Sequence, residues 1–246
     1  MVREALEMAD HVYFLNREDE PCVLPFLPKS ATTSRLPPFL NVPPKSSAAG
    51  RNRQRQEIAA RFSLDRNAPW LLAVGMMRKG DKAASYRHLA NAMILLGRSD
   101  AHLLIVGTGE AEDDVRQMLQ DTKVSVCFLG ELSRPELRRI FGASDVYVWP
   151  AVGEAIGMAT LEAMAAGLPV VSGTTGAVGD IIEHGTTGLL AETPARLAEN
   201  IKLLLDNPAL RRNLGLNASH YVSIHHSMAA ASSQFADDFA RIMKRS

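Results

Sequence analysis

The sequence has no excess of either charge. Its 27 Lys and Arg are matched by 27 Asp and Glu over 246 residues. That balance offers no general attraction for nucleic acid or another polyanion, and only local basic pockets remain to consider. Cysteine is nearly absent. Cys22 and Cys127 stand far apart among apolar residues, which excludes a disulfide framework and suggests a reducing compartment. Long apolar runs are missing too. The opening MVREALEMADHVYFL has no apolar stretch before a small-residue cleavage site, so no signal peptide is read there. No run approaches the length of a membrane span. The expectation is a soluble, cytoplasmic protein, with a peripheral contact at the inner face of a membrane left open. What the chain does have is core material. Hydrophobic residues make up 46% and charged residues 22%, which suits one large α/β domain or a domain with an appendage.

Two regions differ in texture. Residues 1 to about 65 show little periodicity and carry Pro21, Pro25, Pro28, Pro37, Pro38, Pro43 and Pro44. One short strand is read at His11–Leu15, an extended linker around Pro37 and Pro38, and a solvated basic loop at Lys45–Gln56 leading into a helix at Gln54–Phe62. From Ala68 onward, apolar runs alternate with helical patterns. The runs are Trp70–Val74, His102–Val106, Val124–Leu129, Val146–Trp149, Pro169–Ser172 and Gly188–Leu190. Helices are read near Ser85–Leu96, Ala111–Gln120, Pro135–Phe141, Met158–Ala166, Val178–His184 and Pro194–Asp206, with a last one at Ser227–Lys244. Near-continuous apolar strands, each followed by a helix, imply a parallel sheet covered on both faces. The fold class expected is α/β, a Rossmann-like doubly wound sheet.

Ligands of such a sheet sit beyond the carboxyl ends of the strands, so chemistry belongs in the strand-to-helix turns. After the first apolar run come Gly75, Arg78, Lys79 and Lys82. Cations beside a glycine suit a diphosphate, although a charged surface turn has the same composition. The turn Gly107-Thr-Gly109 is half of a dinucleotide fingerprint and equally an ordinary tight turn. After Val146–Trp149 the chain reads Gly153-Glu-Ala-Ile-Gly157 and then enters a helix at Met158. The glycines let backbone N–H groups approach an anion at the helix N-terminus. Glu154 is suited to sugar hydroxyls or to balancing positive charge. Glu162, on a helix of small and apolar residues, needs a partner: a ribose diol, a buried Arg or backbone. Gly173-Thr-Thr-Gly176 either lines the crevice or is a simple turn.

The segment Val146–Gly173 (VYVWPAVGEAIGMATLEAMAAGLPVVSG) resembles glycosyltransferase family 4, of the two-domain GT-B architecture. Its E-x7-E motif falls on Glu154 and Glu162, followed by LPVV at 168–171 and GDIIEHGTTGLL at 179–190. The resemblance covers roughly residues 65–225. It implies a retaining transferase using a UDP- or GDP-linked sugar as substrate, with no cofactor and no metal required. Arg78 and Lys82 would hold the donor diphosphate, and Glu154 would contact the donor sugar and support the transition state. Glu162 would bind the nucleotide ribose. The donor site would be completed by Gly75, Gly107, Gly153, Ile156, Gly157, Met158, Ala159 and Thr160. The sequence departs from the family in two places: Met76 and Met77 stand between Gly75 and Arg78, and Ala155-Ile156 replaces the usual Gly-Phe.

Length is the larger departure. Residues 1–45 resemble only the end of the family's N-terminal acceptor domain plus the linker, with 46–226 as the nucleotide-sugar-binding domain and 227–246 as the C-terminal crossing helix. The strand at His11–Leu15 is then expected to lack sheet neighbours, and the last helix to expose its apolar side. The partners implied are a nucleotide-sugar donor, an unknown glycan or lipid-linked acceptor and a separate acceptor-domain partner, with no nucleic acid. A non-catalytic nucleotide-sugar-binding module, or an inactive fragment, is the alternative.

Overall fold

The computed structural model describes residues 2–42 and 47–244. The first segment forms α1 (Val2–Glu7), β1 (His11–Phe14), α2 (Glu20–Val23), a 3-10 turn at Leu24–Phe26 and β2 (Thr32–Arg35). β1 and β2 pair in parallel, with His11 opposite Thr32 and Phe14 opposite Arg35. β1 therefore has β2 on one side and, among the described residues, an unpaired edge on the other, so the expected open edge is there although the strand is not without a neighbour. Its partner, TTSR, contains no apolar residue and so gave no strand pattern. The division drawn at 45/46 falls outside the described residues, as do Pro43, Pro44 and Lys45.

From Ser47 the order is α3 (Ala48–Phe62), β3 (Trp70–Val74), α4 (Asp81–Leu96), β4 (His102–Val106), α5 (Glu112–Leu119), β5 (Ser125–Gly130), α6 (Arg134–Ala143), β6 (Val146–Trp149), α7 (Met158–Ala165), β7 (Val170–Ser172), α8 (Val178–Ile181), β8 (Leu189–Leu190), α9 (Pro194–Asp206), α10 (Pro208–His225) and α11 (Met228–Met243). The six later strands form one parallel sheet in the order β5-β4-β3-β6-β7-β8. The sheet grows from β3 in one direction and from β6 in the other, so the topological switch lies between these two strands. Every residue of β6 is buried, as are the first four of β3. Each large apolar side chain so placed contributes about 1.5–3 kcal/mol of transfer free energy.

Short polar side chains fix where the helices start. Ser47 caps α3 by accepting from the Gly50 N–H at 3.1 Å. Part of the stretch read as a basic loop is therefore helix from Ala48 onward. Ser133 and Glu136 form a reciprocal capping box on α6. Asn207 caps α10, accepting from the Leu210 N–H at 3.0 Å. This helix was not anticipated, because Pro208 two residues after α9 reads as a terminator. Instead it occupies the first turn of the next helix. α10 packs on α7, where a Cβ at Gly215 would lie 2.2 Å from the Gly167 carbonyl oxygen. No helix among the described residues is long and apolar enough to cross a membrane.

The final helix meets the N-terminal unit. Ser227 caps α11, and Leu40 bridges to Ser227 in parallel. The His226 Nδ1 lies 2.7 Å from the Pro38 carbonyl oxygen, and the Tyr13 ring stacks on Phe235 at 5.7 Å. As expected, α11 leaves much of its apolar side in solvent, with Phe235 and Phe239 each about half exposed.

Candidate active site

The turn from β3 to α4 and the turn from β6 to α7 flank the switch point. After β3, Gly75 lies against the Trp149 ring so closely that a Cβ there would sit 2.6 Å from the indole edge. Met77 is fully buried. Its N–H donates to the Thr108 carbonyl at 2.9 Å, and its carbonyl accepts from the Ala111 N–H at 2.9 Å. The extra residues ahead of Arg78 thus anchor this turn to the neighbouring one, and Arg78 and Lys79 emerge beyond it into solvent. Among the described residues Arg78 makes no side-chain hydrogen bond or ion pair. Gly107 supports the same arrangement from behind. With φ of +131°, its missing Cβ would fall 2.0 Å from the Gly75 carbonyl oxygen. Its smallness therefore serves loop-to-loop packing.

Lys82 points from the first turn of α4 to the β6 turn. Its Nζ lies 2.5 Å from Glu154 Oε2, with both side chains about one-fifth exposed. The Trp149 Nε1–H donates to the same oxygen at 3.1 Å, and the Lys82 ammonium sits 5.3 Å from the Trp149 ring centroid. Trp149 is itself held by Tyr86, edge-on at 5.2 Å, whose hydroxyl donates to the Gly75 carbonyl at 2.7 Å. Burial pushes the Tyr86 phenol well above its usual range, with Glu112 adding to the shift, so the hydroxyl stays a donor. The turn's backbone is tied to α4 as well, the Val152 N–H donating to Ser85 Oγ at 3.0 Å. On its other side the Thr175 hydroxyl donates to the Ala151 carbonyl, and a Cβ at Gly176 would fall 1.9 Å from the Glu154 carbonyl oxygen. Asn16, from the N-terminal unit, donates to the Ala155 carbonyl at 3.4 Å.

α7 begins behind Gly157, which adopts φ of +71°. The Gly157 carbonyl accepts from the Leu161 N–H at 3.0 Å. The N–H groups of Met158, Ala159 and Thr160 form the first turn and have no partner within the helix. They can therefore face an anion. Thr160 is fully buried, whereas Ala159 is half-buried and Met158 is exposed at the start of the turn. Ile156 is half-buried.

Glu162 lies a turn further along and faces other surroundings. It lines a cavity of about 750 Å³ between α6 and the α7–α10 pair, together with Arg134, Arg138, Phe141, Arg212 and Leu216. Burial raises its pKa, and Arg134 and Arg138 oppose that rise. The structure therefore joins Gly75, Lys82 and Glu154 in one cluster, with Arg78 exposed on the same β3–α4 turn, and sets Glu162 in a separate groove. Trp149, Tyr86 and Ser85 were missed as site residues. Their apolar or helical settings read as core, and only the positions of Trp149 and Ser85 beside the two motifs could have marked them.

Residues 68–207 match the family described as glycosyl transferases group 1. The alpha-D-kanosaminyltransferase of Streptomyces kanamyceticus is 28% identical over 194 residues, covering 77% of this chain and 50% of that protein. Sucrose-phosphate synthase from Thermosynechococcus elongatus superposes with a TM-score of 0.79 at 24% identity, over 100% of this chain and 61% of that one. Anabaena Alr3699/HepE, solved in complex with UDP-glucose, superposes at 0.77 and 18% identity, over 96% of this chain and 65% of that one. The chain spans about half the length of the first of these relatives.

Proposed function

Since this chain belongs to the group 1 glycosyl transferases, we propose that it binds a UDP- or GDP-linked sugar at the switch point between β3 and β6. There it supports transfer of that sugar, with retention, to a glycan or lipid-linked acceptor. The observation that carries this reading is the convergence of Lys82 and Glu154 beside the open first turn of α7.

Arg78 and Lys82 hold the diphosphate, and the N–H groups of Met158, Ala159 and Thr160 accept its negative charge at the helix end. As the sugar departs, charge grows on the leaving phosphate, and fixed cations and N–H dipoles stabilise it without reorganising. The resident chemistry assigned here needs no metal. Glu154 faces the donor sugar and steadies the positive charge that develops on it. Glu162, half-buried and with no side-chain hydrogen bond among the described residues, takes the ribose hydroxyls. Two carboxylates of a glycosidase would flank one bond. Here they stand in different surroundings, one on Lys82 and one in an arginine-lined groove, which supports separate tasks. The acceptor is the business of a further domain, carried on a longer chain or on a partner. The reaction is placed in the cytoplasm, at or near the inner face of a membrane.

Calorimetry with UDP, GDP and their sugars tests the reading. Binding of at least one nucleotide sugar is expected. Glu162→Ala should weaken nucleoside and nucleotide alike by roughly tenfold, the value of a charge-assisted hydrogen bond. Arg78→Ala should weaken the diphosphate more than the nucleoside. If no nucleotide sugar binds, the donor site does not exist.

A further inference from the structure

Glu154 Oε2 accepts from two donors that differ in kind. Lys82 reaches it on a flexible four-carbon stem from the start of α4. Trp149 reaches it from the end of β6 on a ring that is 1% exposed and cannot move without disturbing the core. The ring is boxed in by Tyr86 on one side and by Gly75, where there is no room for a side chain, on the other. One oxygen of the carboxylate is thereby pinned to the sheet, and the other has no hydrogen bond among the described residues.

We infer that Trp149 is a positioning residue for Glu154. Its indole N–H fixes the carboxylate when Lys82 turns to the donor diphosphate. A single ammonium cannot keep its shortest contact to Glu154 and also meet a diphosphate at full strength. When the donor arrives, Lys82 divides between two anions, and a glutamate held by Lys82 alone would swing after it. A charge-assisted bond from a buried, rigid N–H costs no side-chain entropy on binding and does not depend on the donor. Its cation-facing ring also gives Lys82 a second resting place, over the indole face, while it changes partners. Gly75 is needed at its position because this ring fills the space.

This rests on the placing of Glu154 at the donor sugar, but the hydrogen bond is read without any donor, so the two can fail separately. The chain has two tryptophans, Trp70 and Trp149. In a proton–nitrogen correlation spectrum the Trp149 indole signal is the one lost in Trp149→Phe. In the unliganded protein, Glu154→Gln should move that proton upfield and speed its exchange with solvent at least tenfold. Lys82→Met should leave it downfield and protected. An indole signal indifferent to Glu154→Gln overturns the proposal. With whichever nucleotide sugar binds, the benzothiophene isostere of tryptophan at position 149 keeps the ring's shape and removes only the N–H. Slow hydrolysis of the donor, which needs no acceptor domain, should then fall tenfold or more, with its KM changed less than twofold. Unchanged turnover, or a loss confined to KM, likewise overturns it. Trp149→Phe controls for packing, since its smaller ring also lowers the melting temperature while the isostere does not.

Discussion

His102 carries its one ring proton at an atom with nothing to give it to. The Asp65 N–H donates to its Nε2 at 3.1 Å, which leaves the proton on Nδ1, a buried atom without a hydrogen-bond partner among the described residues. Burial lowers the pKa of His102; Asp65 opposes the shift and Arg55 adds to it. Burial also lowers that of His226, against the pull of the Pro38 carbonyl. In both cases the folded value lies below the unfolded one. The neutral ring's contribution to stability is therefore complete above the unfolded value of about 6.5 and is lost as pH falls below it toward the folded value. Urea midpoints should fall between pH 7.5 and pH 5, and His102→Gln, which can still accept from Asp65, should reduce that fall. A midpoint equally pH-dependent in His102→Gln would remove this histidine from the account. Among the candidate site residues, Glu154, Arg78 and Lys82 could be picked from the sequence because a charge in a glycine-bounded turn has few uses, and Glu162 because a carboxylate on a helix of small and apolar residues needs a partner. Trp149 reads as core, since a tryptophan ending an apolar strand looks like any other, and only its place just ahead of the Glu154 turn marks it before its N–H is seen to reach Glu154.

The helix crossing between α7 and α10 sets two principles against each other. On an isolated helix, Gly215→Ala would add stability of up to about 1 kcal/mol through helix propensity. In the fold, a Cβ there would meet the Gly167 carbonyl at 2.2 Å. The substitution should therefore destabilise by about 1–3 kcal/mol, the cost of overpacking. Chemical denaturation will decide the sign. The sheet's strands were legible because burial on both faces demands continuous apolar runs. α10 was not, because its buried face is made of Leu214, Gly215, Ala218, Ser219 and Val222, small and partly polar residues that leave little periodic contrast. α8 was read too long for a related reason. The apolar Ile182 continues the pattern of Val178 and Ile181, but its own backbone turns extended, with φ of −114° and ψ of 119°.

At the scale of the whole molecule, one end is less well covered than the other. Phe235, Phe239, Met228 and Met243 are each half exposed or more, on the helix that packs over the β1–β2 pair. A contiguous apolar face of this sort favours association. Phe239→Ser should lower self-association in sedimentation and reduce binding of a hydrophobic dye. It should change unfolding free energy by less than about 0.5 kcal/mol, as expected of an exposed site. A large loss of stability would mean that the face is already part of the core. The sequence could announce the exposed face but not the β1–β2 pairing beneath it, because β2 is wholly polar and a polar strand leaves no trace in periodicity.

The close contact of Gly107 with the Gly75 carbonyl also bears on how this protein can change under mutation and selection. Every single-base change that replaces a glycine codon's residue introduces a Cβ, and at position 107 any Cβ meets a backbone oxygen that cannot step aside. Gly75 is closed in the same way by the Trp149 ring. The backbone path of these turns is thus frozen against stepwise variation, whereas Ala155 and Met158, exposed on the adjoining turn, are free to vary. A new donor preference should therefore be found in a mutant library at those two positions, with the glycines unchanged.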